Sequence, residues 1–293
     1  MPETGDYILT SVGFSKHEKP LLILQQGEAF IDLLPVDQQL TLRFAMAQRF
    51  CVGWRDITNG ERHVCPDRVV VDRKYEQCGA CQKRTGFNPA FYNSASVSPQ
   101  QESRNLEPHI LYLAYFGSDT MKVGISHAAR GNSRLLEQGA RSALILDTFS
   151  SAHIARHYEA KIATLSGIYE TVLISKKVTA LASPYDQAEA EEKLLAAHQR
   201  VEAELHATFS ETTILHFDHR FFPHGTPLLA GAYDAASQDL LSGKVTGMLG
   251  SLLFCEQQDT QVFLALKKYI GYQLHISSEQ TDIDLPARQI SLF

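Results

Sequence analysis

Apolar and polar positions alternate along the first 50 residues with the two-residue period of half-buried strands. Pro20-Leu21-Leu22-Ile23-Leu24 reads as a strand, Gln25-Gln26-Gly27-Glu28 as a turn, and Ala29-Phe30-Ile31-Asp32-Leu33 as the returning strand. Residues 39–44 add a third, which predicts a small antiparallel sheet. Periodicity then fails over residues 51–105, and the polar run at 93–105 reads as a linker. From Glu107 the texture changes. Residues 110–116 form the continuous apolar run of a buried strand. Residues 117–120 read as a tight turn and 121–125 as a second strand. A helix is expected over 128–139 with Leu135 and Leu136 inward, and a third strand over 143–149. A second helix, from Ser151 to about Ser166, spaces Ile154, Tyr158, Ile162 and Leu165 for one face. Residues 185–209 carry the strongest helical pattern, with Leu194, Leu195, Val201 and Leu205 turned to the body. Residues 245–254, 261–266 and 272–276 read as three short strands that could pack with the N-terminal ones.

Composition adds little to this pattern: 44% hydrophobic and 20% charged residues are ordinary for a globular chain, and 293 residues suffice for two or three compact units. Residues 1–16 lack the apolar region of a signal peptide, and no run of about 18 apolar residues occurs. The expectation is a cytoplasmic protein with no membrane partner, in a reducing compartment where thiols bind metal more often than they form disulfides. Net charge is −6, yet residues 43–84 hold nine Lys or Arg against five Asp or Glu, and residues 183–211 hold seven acids against two bases. A basic front and an acidic helix leave room for a nucleic-acid partner.

Four of the five cysteines, Cys51, Cys65, Cys78 and Cys81, fall within 31 residues as Cys-x13-Cys-x12-Cys-x2-Cys. A Cys-x-x-Cys turn offers two thiolates from one bend, and two distant thiolates complete a tetrahedron suited to structural zinc. His63 could stand in for Cys65. A redox Cys-x-x-Cys normally opens a helix in a βαβ unit, whereas this one sits in a basic, turn-rich stretch. With four protein ligands no position stays open for catalysis, so the metal would hold an under-packed segment together. Cys255 reads as a small buried hydrophobe.

Tyr112-Leu113-Ala114, then Lys122-Val123-Gly124-Ile125-Ser126, with Arg134-Leu135 and Glu159 downstream, resembles the GIY-YIG superfamily, and in particular its branch whose second motif reads Lys-(Ile/Val)-Gly-Ile. More narrowly, residues 50–165 are similar to an uncharacterised bacterial family that joins a cysteine cluster to Tyr-Leu-Ala, Lys-Val-Gly-Ile and Gln-Gly-Ala motifs, here at 112–114, 122–125 and 138–140. The resemblance implies phosphodiester cleavage with one divalent ion. It makes Tyr112 the assistant in deprotonating water, Arg134 (or Arg130) the phosphate clamp, and Glu159 the ligand of Mg²⁺, a hard cation that suits a carboxylate and keeps most of its waters. Two departures stand out: Lys122 replaces the second motif's tyrosine, and Ile110 replaces the first motif's glycine.

His216, His219 and His224 with Asp218 could collect another metal, and Arg220-Phe221-Phe222 could stack bases. Residues 243–250 are glycine-rich but lack the order of a phosphate-binding loop. The expected architecture is thus α+β or α/β and multidomain: an N-terminal β segment (1–50), a zinc module with linker (51–105), a GIY-YIG-like three-stranded domain with helices (106–182), a helical brace and loop (183–242) and a C-terminal β segment (243–293). The expected function is a nucleic-acid-associated zinc protein acting as a Mg²⁺-dependent endonuclease. Its rivals are a non-catalytic DNA- or RNA-binding protein and a structural or regulatory adaptor.

Overall fold

The apolar runs near the two ends of the chain bury themselves in one sheet. The computed structural model describes residues 3–88, 97–117, 119–227 and 232–285. Strands β1 (Gly5–Phe14), β2 (Pro20–Gln26), β3 (Ala29–Leu33) and β4 (Gln39–Phe50) lie beside β13 (Tyr233–Asp234), β14 (Leu240–Leu249), β15 (Leu252–Gln257), β16 (Thr260–Ala265) and β17 (Tyr272–Ser277). Their order is β13-β16-β15-β14-β4-β17-β1-β2-β3, and the short β7 (Val70–Val71) pairs with the end of β4. The sheet is mixed: β13 runs parallel to β16, while β4 pairs antiparallel with β14 and β17. Leu9, Leu22, Leu24, Leu42, Val245, Leu253 and Leu274 form its main core.

The second sheet has the order β11-β9-β8-β10-β12, built from β8 (His109–Gly117), β9 (Thr120–His127), β10 (Ser142–Phe149), β11 (Ile168–Tyr169) and β12 (Thr213–His216). Its central trio is antiparallel and joined in the expected order of strand, strand, helix, strand, helix. Helices α3 (Ser133–Gln138), α4 (Ala152–Ile162), α5 (Ile174–Ala180), α6 (Gln187–Leu205) and α7 (Asp218–Phe221) surround it. Alternation along β8 divides its side chains between two cores. Leu111, Leu113 and Tyr115 pack with Ile162 of α4 and with Leu194 and Val201 of α6. Tyr112, Ala114 and Phe116 pack with Leu135 and Leu136 of α3, with Phe221 and Phe222, and with Phe254 and Phe263 of the large sheet. The small sheet is therefore covered on both faces. The β5 (Trp54–Arg55) and β6 (Arg62–His63) hairpin and the short helices α1 (Gly79–Thr85) and α2 (Pro99–Asn105) complete the fold. Among the described residues it is a mixed α+β protein of seven α-helices, a ten-stranded sheet and a five-stranded sheet.

The structure departs from the sequence pattern in several places. The three-stranded sheet gains β11 and β12 at its edges, and β1 enters the large sheet ahead of the first expected strand. Residues 245–254 are not one strand: Gly250, at φ +59°, turns the chain between β14 and β15. The helix expected over 128–139 divides into a 3-10 turn (Ala128–Arg130) and α3, parted by Gly131 at φ +49°. Residues 93–96 of the expected linker lie outside the described residues, but its later part is helix α2, because the Ser98 hydroxyl accepts the Gln101 N–H and Pro99 suits a first helical position. Ile154 and Leu195 face solvent, 43% and 41% exposed, rather than the core. Both lie on a flank of their helices, beside the rows Ala155–Glu159–Ile162 and Ala190–Leu194–Val201 that are buried.

Candidate functional site

Two constellations carry the chemistry-bearing residues. The first is the cysteine cluster. Cys51 leaves β4, its N–H donating to the Val69 carbonyl at 2.8 Å; Cys65 follows the β5–β6 hairpin; Cys78 caps α1 and Cys81 lies in its first turn. The four sulfurs lie within 4.8 Å of one another, and Cys51, Cys65 and Cys81 are almost wholly buried. A tetrahedral ZnS₄ centre with bonds of about 2.3 Å separates its sulfurs by about 3.8 Å, so the cluster needs little contraction to close on an ion. The Cys78 N–H donates to the Cys51 Sγ at 3.2 Å, a contact that stabilises a thiolate. The Cys81 N–H draws the Cys78 thiol down to about 7, whereas burial pushes Cys51 and Cys81 up. A soft, four-sulfur donor set of this shape is consistent with a structural metal such as zinc. His63 is not part of it: the ring stacks on Trp54 at 3.9 Å, and its Nε2 lies 3.9 Å from Glu61. Gly53 makes the hairpin possible, since at φ +81° a Cβ there would stand 2.0 Å from the His63 carbonyl oxygen.

The second constellation lies on the β8–β9 pair of the small sheet. Tyr112 is fully buried opposite Gly124, whose missing Cβ would stand 2.5 Å from the phenol oxygen. That phenol accepts a hydrogen bond from Gln138 Nε2 at 3.0 Å and meets the Arg134 guanidinium. Burial pushes it up to about 12 against the pull of Arg134. Glu159, buried on α4, pairs with Arg156 at 2.6 Å, and the same guanidinium holds Glu170 at 2.5 Å. Lys122 donates to the Glu170 carbonyl; burial lowers its ammonium while Glu159 raises it and Arg134 lowers it. Tyr112, Lys122, Arg134 and Glu159 therefore act on one another, with cations in excess. Arg130 stands elsewhere: it pairs with Glu137 at 2.6 Å and faces Arg55, whose guanidinium is lowered by burial and by Arg62, Arg130 and Arg104.

Three participants were not among the residues expected here. Gln138 lies one turn beyond Arg134, a spacing that puts both on one face of α3 and was open to inference. Glu170, after β11, and Lys177, on α5, have no such signal. Lys177 donates to the Gln138 carbonyl at 2.5 Å, and burial with nearby Lys122, Lys267 and Arg134 brings it down to about 8.

The histidine-rich stretch gathers no metal site. His216 contacts Glu191 and Tyr185, His224 contacts Asp37, and Asp218 holds Arg141; among the described residues only the four cysteines converge as metal donors. Phe221 and Phe222 are core side chains, not base-stacking platforms. Cys255 is buried, its thiol donating to the Ser242 carbonyl at 3.2 Å and pushed up to about 12 by desolvation.

Fold and sites together define a mixed α+β protein with a four-cysteine centre at the end of β4 in the large sheet and a cationic cluster on the small sheet. The chain belongs to the family described as "Protein of unknown function (DUF2797)", whose model matches residues 73–274. That span holds the β8–β9 cluster along with Cys78 and Cys81, and begins after Cys51 and Cys65. No curated protein and no solved structure matches the chain. Among the described residues no helix is long and apolar enough to cross a membrane.

Proposed function

We propose that this chain is a nucleic-acid-associated zinc protein whose small sheet, of GIY-YIG type, cleaves phosphodiesters with Mg²⁺. The convergence of Tyr112, Lys122, Arg134 and Glu159 carries the reading, since these four lie far apart in sequence and include every group the resemblance assigns a role. Zinc at Cys51, Cys65, Cys78 and Cys81 is structural. Arg134 and Lys122 hold the phosphate, the former as a planar fork and the latter as a point charge. Tyr112, fully buried, holds Gln138 through its phenol and lies beside Arg134, so in this arrangement it positions the phosphate clamp rather than touching water. Glu159 is a hard carboxylate with Glu170 nearby across Arg156, a donor set that fits Mg²⁺, which asks for only one or two carboxylates beside its waters and the phosphate. The ion supplies Lewis-acid activation when bound. Exposed Tyr169, under the Lys176 ammonium at 3.8 Å, offers an aromatic face beside this site for an unpaired base.

One observation favours a second reading, in which the protein binds nucleic acid without cutting it: Glu159 is already neutralised by Arg156. Incubation with plasmid, single-stranded DNA and RNA, in Mg²⁺ and in EDTA, separates the two. Cleavage is expected only with Mg²⁺ and should fall about 10²- to 10³-fold in Glu159→Ala and Arg134→Ala, as when a transition-state contact is lost. Variants that cleave like the parent would remove these residues from the site. Salt-sensitive binding with no product on any substrate would establish the second reading.

A further inference from the structure

The cationic cluster extends beyond the four residues given a role above, and part of the extension comes from the large sheet. Lys177 on α5 donates to the Gln138 carbonyl at 2.5 Å, while the Gln138 side-chain amide reaches the Tyr112 phenol. The same carbonyl carbon lies against the β14–β15 turn, where a Cβ on Gly250 would stand 3.2 Å from it. The next residue, Ser251, accepts the Leu266 N–H at 2.9 Å, which brings the 3-10 turn Leu266–Tyr269 to the same place. Lys267, the second residue of that turn, is exposed, as is Arg134. The charged groups that bear on half-buried Lys177 are Lys122, Lys267 and Arg134, all of them cations. Among the described residues none of Arg134, Lys177 and Lys267 is ion-paired with a carboxylate, whereas the adjacent Lys268 has Asp239 at 3.7 Å.

Like charges held together cost free energy, the more so where one is half-buried, and an anion drawn among them recovers it. Charge also bears on how many phosphates are needed. Glu159 and Glu170 are already met by Arg156. A phosphodiester carries one negative charge, so a single phosphate on Arg134 and Lys122 leaves Lys177 and Lys267 unneutralised. A nucleic-acid strand supplies the rest, because its phosphates repeat along a flexible backbone that a row of cations can follow. Exposed Tyr169, under Lys176, gives the same strand a face for one of its bases. We propose that Lys267, reached from the large sheet, and Lys177 hold a second phosphate of a single nucleic-acid strand, next to the one on Arg134 and Lys122, so that the binding surface spans both sheets. This rests on the reading of the chain as a nucleic-acid-binding protein and is independent of whether it cleaves.

The test reads binding alone, with zinc-replete protein in the absence of Mg²⁺. A fluorescently labelled all-dT strand is titrated by anisotropy over a range of salt concentrations. The slope of log affinity against log salt counts the phosphates neutralised, at about 0.7 for each on a single strand. Lys267→Gln should weaken binding and make the slope shallower by about 0.7, as should Arg134→Gln. The double variant should lose about 1.4, because the two side chains hold different phosphates. Lys268→Gln, one residue away and already paired, should leave affinity and slope unchanged. Lys267 and Arg134 are exposed, so these variants keep the parent's fold, which equal urea midpoints verify. A parent that binds no strand even at low salt would remove the nucleic-acid reading and this inference with it. Three other results would overturn the second phosphate alone, in a parent that does bind. They are full affinity and slope in Lys267→Gln, equal losses in Lys267→Gln and Lys268→Gln, and a double variant that loses no more slope than one single.

Discussion

Tyr112 shows how one missing atom sets the geometry of the cationic cluster. The ring can lie across β9 only because residue 124 has no Cβ, and its oxygen then reaches Gln138 and Arg134 on α3. The Lys-Val-Gly-Ile motif thus has a packing reason beside any chemical one. Tyr112, Lys122, Arg134 and Glu159 were legible as a group because a motif names them. Glu170 and Lys177 were not, because each enters from a segment whose sequence reads as ordinary loop or helix surface. Lys177 is the group whose cost can be measured. Its folded-state value, about 8, lies below the ordinary 10.5, so over that interval the unfolded chain binds the extra proton. Stability contributed by this group therefore rises as pH increases from about 8 and levels off near 10.5. Urea midpoints at pH 7.5 and 9.5 should show the parent gaining on the order of 1 kcal/mol relative to Lys177→Met, given about 1.4 kcal/mol per unit and some solvent screening. Parallel pH slopes would mean that Lys177 is solvated like any surface lysine.

At the scale of elements, what could be read depended on period and length. Strands β2 and β3, the β8–β9 pair and α6 announce themselves by alternation, by an apolar run or by a long amphipathic stretch capped by Asp186. β11 and β7 are two residues long and β12 is a partly exposed four, so they exist by pairing with an established edge and carry no periodic signal. The split between β14 and β15 was hidden because apolar residues continue through Gly250. The cysteine module is the opposite case: it has almost no apolar pattern, yet its spacing was informative. Among the described residues, Trp54, Val69 and Val71 are the non-cysteine hydrophobic side chains that pack around its core. Structural zinc in small peptides binds with roughly 10–16 kcal/mol, far more than such a cluster supplies. One zinc per chain is therefore expected by native mass spectrometry, with Cys65→Ala or strong chelation releasing it and unfolding residues 51–85 while both sheets persist by circular dichroism. Protein purified without chelator that carries no metal would remove the zinc centre.

At the scale of the whole molecule, the question is how the small sheet is held against the large one. The shared core supplies the energy, through Phe221, Phe222, Phe254 and Phe263 beneath Tyr112 and Leu135. The register is set where main chains meet: at Gly247 of β14, whose added Cβ would stand 2.4 Å from the Phe221 carbonyl oxygen, and where the end of α3 meets the β14–β15 turn. Gly139 and Gly250 both sit at positive φ, and a Cβ on Gly250 would stand 2.9 Å from the Glu137 carbonyl oxygen and 3.1 Å from the Gly139 nitrogen. Those neighbours are main chain and cannot rotate away. Gly250→Ala should thus cost about 1–2 kcal/mol for the left-handed conformation and more for the displaced helix. Since α3 carries Arg134 and Gln138, the displacement is felt at the phenol of Tyr112, far along the chain from the substitution. The expected result is a lower urea midpoint together with weaker nucleic-acid binding or cleavage at unchanged zinc content, because residues 51–81 make no part of this crossing. A Gly250→Ala protein as stable and as active as the parent would show that the α3 crossing does not position the two sheets.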